Sequence, residues 1–228
     1  MEELTLHKIK KYVDELIDTY PGLKLTSQDE KESIVSGTIH VNRCIGNFTV
    51  LKDWPIAIHI PTSAESLPYI VDVEDTIDSN YPHRYSDGKL CLATDFDQRI
   101  QFTESLSLSQ WMEKFVEPYL VIHEYYQRYA EFPYEDREHG SIGILQAYQD
   151  FFNTDALASL RLLSYINQHI YRGHVPCPCE SGNKLRNCHG NKLQHIYSSP
   201  MLLSQARADF QCIMEDYQKC ISQQAKRS

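Results

Sequence analysis

Tyr81-Pro82-His83-Arg84-Tyr85-Ser86-Asp87-Gly88-Lys89-Leu90-Cys91-Leu92 is the stretch on which the reading of this chain turns. It sets one cysteine just past an Asp-Gly turn, between two leucines, with a histidine eight residues upstream. Thiol chemistry needs an accessible sulfur on a rigid element, with a hydrogen-bond donor or proton carrier close by. Lone cysteines are more often inert small hydrophobes, so the surroundings of Cys91 decide its meaning.

Upstream of it, residues 4–19 set Leu4, Ile9, Tyr12, Val13, Leu16 and Ile17 at helical spacing, and Pro21-Gly22 ends that helix. Residues 34–42 alternate as a strand does, 48–60 form a longer β-rich stretch ending at Pro61, and 67–73 read as another strand. The pattern suggests an antiparallel four-stranded meander behind an N-terminal helix, an α+β architecture. Downstream, residues 95–103 read as polar and irregular. Ser107-Leu108-Ser109-Gln110 forms a capping box that opens a helix to about residue 130, and Pro118 is expected to kink or split it. A loop from Phe132-Pro133 to His139-Gly140 precedes helices over 142–152 and 155–171, the second with Leu157, Leu160, Leu163 and Ile166 on one side. Composition changes at Gly173, which gives an expected division into a domain over 1–153, a connecting helix over 154–174, and an appendage over 175–228. Residues 201–221 read as an amphipathic helix in which Cys212 and Cys220 are packing residues.

The 228 residues suffice for one sizeable domain and a smaller one. A formal net charge of −9 argues against non-specific nucleic-acid binding, which needs a basic surface. No apolar run approaches the length of a membrane span, and the acidic start Met1-Glu2-Glu3-Leu4 is unlike a signal peptide. Seven cysteines, an odd number with three tightly clustered, point to a reducing cytoplasm and a metal site instead of a disulfide framework.

That cluster is Cys177-Pro178-Cys179-Glu180-Ser181-Gly182-Asn183-Lys184-Leu185-Arg186-Asn187-Cys188-His189-Gly190. Three thiolates and one imidazole match a closed, tetrahedral structural zinc set: Cys177, Cys179, Cys188 and His189. Pro178 stiffens the first pair, Gly182 permits the turn that returns the second, and Lys184, Arg186 and Lys192 offset the negative charge of the centre. The run resembles the short zinc motif at the C-terminus of the SecA motor protein (SEC-C type), with Glu180 where the usual pattern has its first glycine. The resemblance implies a docking appendage, since four protein ligands leave no open position for a substrate.

The first domain resembles the ubiquitin-conjugating enzymes over roughly residues 4–130. Residues 48–51 with Ile56-Ala57-Ile58-His59-Ile60-Pro61 are similar to that family's third strand, and Leu67-Pro68-Tyr69-Ile70-Val71 to its turn into the fourth. Asp87-Gly88-Lys89-Leu90-Cys91-Leu92 resembles the Asn-Gly-x-Ile-Cys-Leu signature around the catalytic cysteine, and Leu106-Ser107-Leu108-Ser109 the step into the second helix. Where the family carries His-Pro-Asn, this chain has Tyr81-Pro82-His83, which sets His83 in the place of the asparagine. An imidazole can donate to an oxyanion and can also move protons. The divergent triplet and the loop from Phe132 to Gly140 resemble bacterial forms found beside antiviral nucleotidyltransferases.

The resemblance implies a cysteine acyltransferase of antiphage defence. Cys91 would carry a polypeptide C-terminus as a thioester and pass it to a lysine amine. Expected partners are a ubiquitin-like protein or an antiviral nucleotidyltransferase with a free C-terminal glycine, and an activating enzyme, with neither nucleic acid nor membrane. Asp95 and Asp97 are candidates to ease proton loss from the lysine, and are otherwise solvated loop acids. His139 is a weaker candidate, and Arg84 and Tyr85 are expected only to shape the loop. Two other readings stay open: a non-catalytic adaptor that uses the zinc module for docking, and a thiol hydrolase using Cys91 and His83.

Overall fold

The helical spacing at the N-terminus produces α1 (Leu6–Thr19), whose buried stripe of Ile9, Val13 and Leu16 closes one side of an apolar core. The structure is a computed structural model that describes residues 6–63, 65–103 and 107–225. Leu4 and Leu106, expected in the first helix and at the step into the second, lie outside the described residues.

The chain folds as two compact units: the first comprises the chain up to Ala93 and the helical stretch ending at Asp136, the second Thr94–Thr103 and the chain from Arg137 onward. The expected division near 153 is therefore displaced. The helix over 142–152 and the segment over 94–103 pack in the second unit, because each carries apolar residues that complete its core, Phe96, Tyr148 and Phe152 among them.

In the first unit β1 (Leu23–Gln28), β2 (Glu32–Ile45), β3 (Phe48–Pro61) and β4 (Tyr69–Asp72) form an antiparallel sheet in the order β1-β2-β3-β4. A two-residue Gly46-Asn47 turn sets the long β2–β3 register, from Ile45 opposite Phe48 to Glu32 opposite Pro61. Alternation then buries Val35, Ile39 and Val41 of β2 with Val50, Trp54, Ile56 and Ile58 of β3 on one face. Sequence reading named no strand over 23–28. Only Leu23 of β1 is buried, so the period-two signal is absent there.

The capping box forms as expected: the Gln110 N–H donates to Ser107 Oγ at 3.2 Å and the Ser107 N–H to Gln110 Oε1 at 2.9 Å. It opens α3 (Leu108–Trp111), which continues through a π-turn (Met112–Val116) into α4 (Glu117–Tyr129). Pro118 lacks an N–H and crowds the preceding turn; the widened turn, with the Glu117 N–H bonded to the Met112 carbonyl, absorbs it without ending the helix. Glu117 is buried, accepts the Tyr20 hydroxyl at 2.6 Å and pairs with Arg43. Burial and that carboxylate push the Tyr20 phenol far above its ordinary value, so it stays a donor and ties the end of α1 to the helix.

In the second unit, residues 95–103 form helix α2 (Asp95–Thr103), which corrects the expectation of an irregular loop. Thr94 Oγ1 accepts the Asp97 N–H at 3.1 Å and donates to Asp97 Oδ2 at 2.8 Å, a reciprocal cap. The helix buries Phe96 in a stack on Tyr148 with ring centroids 4.0 Å apart. α5 (Gly140–Phe152), α6 (Ala156–Gln168), α7 (Gly190–Ser198) and α8 (Pro200–Ala225) complete the unit. Asp155 caps α6, and Leu157, expected on its apolar side, is 57% exposed while Ala158, Leu162 and Ile166 face the core. α8 buries Leu202, Ala206, Asp209 and Ile213, and this stripe leaves Cys212 and Cys220 exposed, contrary to their expected packing role. Among the described residues no helix is long and apolar enough to cross a membrane.

Candidate functional site

Cys91 is held by a small ribbon on the edge of β4. The Gly88 N–H donates to the Tyr85 carbonyl at 3.0 Å and the Tyr85 N–H to the Lys89 carbonyl at 2.8 Å, so three residues turn the chain back. Gly88 takes φ +83°, the left-handed conformation that ends such a turn at little cost only for glycine. Arg84 pairs with Leu90, Lys89 pairs with Val71, and the Leu90 N–H donates to Ile70 at 3.1 Å. With Leu90 buried, the next side chain in the ribbon is turned toward the opposite side, and Cys91 lies half-buried.

The Cys91 N–H donates to the His83 carbonyl at 2.8 Å, and the Tyr119 hydroxyl donates to the same oxygen at 3.0 Å. Cys91 and His83 line one cleft of about 240 Å³ with Lys114, Tyr119, Phe132 and Asp136. Burial pushes the Tyr81 and Tyr119 phenols well above their ordinary value of 10.0, so both remain neutral walls. His83 packs edge-on to Phe132, with ring centroids 5.3 Å apart, and its Nε2 lies 2.9 Å from Asp136 Oδ2. The Tyr85 hydroxyl donates to Cys91 Sγ at 3.2 Å. A thiolate is stabilised by such a donor.

Of the residues singled out from sequence, Cys91 and His83 come together in this cleft. Asp95 and Asp97 stand in the first turn of α2 in the second unit, where Asp97 is paired with Arg137 at 2.5 Å. His139 occupies the position before α5. Sequence reading missed Asp136 altogether and gave Tyr85 no chemical part; the run Glu135-Asp136-Arg137-Glu138 carried no mark separating one acid from the next.

In the second unit, Cys177, Cys179, Cys188 and His189 present four ligand atoms within 4.8 Å of one another. Cys177 Sγ is 3.3 Å from Cys179 Sγ and 3.3 Å from His189 Nδ1; Cys188 Sγ is 3.6 Å from Cys179 Sγ and 3.3 Å from His189 Nδ1. Zinc–ligand bonds of about 2.0–2.3 Å in a tetrahedron require ligand separations of about 3.3–3.8 Å, so the four fit zinc. The Cys177 N–H donates to Asn183 and the Cys188 N–H to Leu185, at 2.8 and 3.0 Å, which fixes the two ligand loops. Gly182, at φ +79°, makes the return expected of it. Burial raises the Cys177 thiol; burial also acts to raise Cys179, but its hydrogen-bond contacts with Ser181 and Cys177 outweigh it and lower that thiol. Burial and then Lys192 lower the His189 imidazole, favouring the neutral form that ligates a metal. Its ring also hydrogen-bonds the backbone of Phe152, the outer contact that orients ligating histidines.

The SEC-C motif family matches residues 175–191, which contain all four ligands. No curated protein and no solved structure matches the chain.

Proposed function

We propose that this chain is a ubiquitin-conjugating-type cysteine acyltransferase: Cys91 accepts a polypeptide C-terminus as a thioester and passes it to an amine. What carries the reading is the shared cleft of Cys91 and His83, one on a rigid ribbon and the other bonded to that ribbon through its own carbonyl. The helix–meander–helix order of the first unit is the order of that family, and it supports the fold assignment. His83 takes the part of the family's asparagine, donating to the oxyanion or moving the amine's proton.

The modifier would be a ubiquitin-like protein or an antiviral nucleotidyltransferase ending in glycine, charged through an activating enzyme, in cytoplasmic antiphage defence. The SEC-C module, with zinc on Cys177, Cys179, Cys188 and His189, would dock one of these partners. Co-expression with neighbouring gene products tests the reading. A thiol-sensitive adduct on the parent chain, stable as an ester in Cys91→Ser and absent in Cys91→Ala, supports it. Partners that co-purify without an adduct in any variant move the assignment to an adaptor.

A further inference from the structure

The ribbon that carries Cys91 sorts its side chains onto two faces. Arg84 and Leu90 stand opposite each other as a bridge pair, and both are shielded, Leu90 at 5% and the Arg84 side chain at 12% exposure. Neighbouring residues alternate, so Tyr85 and Cys91 share the other face as diagonal neighbours across the ribbon. An aromatic side chain spans the roughly 7–8 Å between such positions. The Tyr85 hydroxyl does so and donates to Cys91 Sγ at 3.2 Å. Lys89, the cation of the ribbon, is committed elsewhere: its ammonium pairs with Asp87 at 3.0 Å and lies 4.8 Å over the Tyr69 ring. Tyr85 itself is 55% exposed, so its ring adds little to the core.

We infer that Tyr85 is a catalytic residue whose hydroxyl holds the Cys91 sulfur as the thioester breaks, a role that rests on the acyltransferase reading above. In that step the amine nitrogen attacks the thioester carbonyl. The C–N bond forms, the C–S bond breaks, and the electron pair of the broken bond stays on sulfur. The surplus amine proton passes to solvent, and Tyr85 keeps its own. A thioester sulfur is a weak acceptor and a thiolate a strong one, so the hydrogen bond tightens as the charge develops. An interaction that is stronger in the transition state than in the ground state raises the rate. The same bond favours the thiolate of the free enzyme over its thiol.

Two measurements on the full-length, zinc-loaded chain test this in the parent, Tyr85→Phe and Tyr85→Ala. The first follows alkylation of Cys91 by iodoacetamide against pH, read by mass spectrometry of the peptide that contains it. Loss of the hydroxyl should move the midpoint of that profile up by roughly one pH unit in both variants. The second charges Cys91 from a synthetic peptide ending in Gly-Gly, supplied as its mercaptoethanesulfonate thioester, and follows single-turnover discharge onto free lysine. Discharge should slow roughly 3- to 10-fold in both variants at an unchanged melting temperature, because the sulfur carries only part of its charge in the transition state. Identical alkylation midpoints in the three chains would overturn the inference. So would a shifted midpoint with unaltered discharge. A slow Tyr85→Ala beside a Tyr85→Phe that matches the parent would assign the effect to the ring and overturn it as well. A parent chain that takes no acyl group overturns the transferase reading and the catalytic role with it, while the alkylation profile still decides whether the hydroxyl holds the sulfur.

Discussion

The Cys91 N–H donates to the carbonyl of His83 at 2.8 Å, so the two residues singled out for chemistry are joined through the backbone as well as by the cleft they share. A second donor, the Tyr119 hydroxyl, reaches the same carbonyl at 3.0 Å from α4. The position of the sulfur thus depends on helix packing one layer beneath it.

Tyr119→Phe tests that dependence. The ring stays packed and the His83 carbonyl keeps the Cys91 N–H, so the loss should be near 1 kcal/mol, that of one ordinary hydrogen bond. Amide hydrogen exchange at Cys91 should quicken while exchange in β2 and β3 stays as in the parent. Unchanged exchange at Cys91 would mean the ribbon alone holds the loop.

Metal content and its removal test the second unit. The chain should bind one zinc through Cys177, Cys179, Cys188 and His189. Chelation, or Cys177→Ser, should expose amides over residues 173–198 and leave those of the sheet protected, because the sheet lies in the other unit. Loss of protection throughout the chain in one transition would show that the two units do not unfold separately.

Glu180 takes φ +62° at the position where the usual SEC-C pattern has glycine. The left-handed region costs a side-chain-bearing residue roughly 1–2 kcal/mol. The ion pair of Glu180 with Arg161, at 2.8 Å, is partly solvated and contributes little in return. Glu180→Gly should therefore raise the stability of the second unit by about 1 kcal/mol, measured by denaturant titration of the zinc-loaded chain. A loss of stability would assign the ion pair more weight than its exposure suggests.

His123 gives the first unit a pH dependence. It is buried against Trp54 and Tyr81, with centroids 5.5 and 4.9 Å away, and burial lowers its imidazole below the ordinary 6.5, with nearby Lys52 adding to this and Glu124 opposing it. The unfolded chain then binds the proton more readily than the folded one. The contribution of the neutral ring is complete above about pH 6.5 and is lost as pH falls through the window below it. His123→Phe should flatten the fall in urea midpoint between pH 7 and pH 5. An equally steep fall in the variant would place the acid sensitivity elsewhere.

The clustering of Cys177, Cys179, Cys188 and His189 was legible in the sequence because a short loop with fixed turns holds them, and spacing alone then brings four candidate metal ligands together. The Ser107–Gln110 cap and the Asp87-Gly88 turn were legible for the same local reason. Asp136 was hidden because its partner lies 53 residues away, and only the fold brings them together. Helix α2 was misread because its polar residues conceal Phe96, and its cap pairs threonine with aspartate where the familiar box has glutamate or glutamine. In α8 the apolar residues support more than one helical stripe, and tertiary packing chose the one that leaves Cys212 and Cys220 outside.

The most direct test of the central claim is the intact mass of the parent, Cys91→Ser and Cys91→Ala chains after incubation with a peptide thioester ending in Gly-Gly. The account predicts one acyl adduct on the parent that a thiol reductant or hydroxylamine removes, a reductant-resistant adduct on Cys91→Ser, and none on Cys91→Ala. A parent chain that remains unmodified, or an adduct that persists in Cys91→Ala, would contradict it.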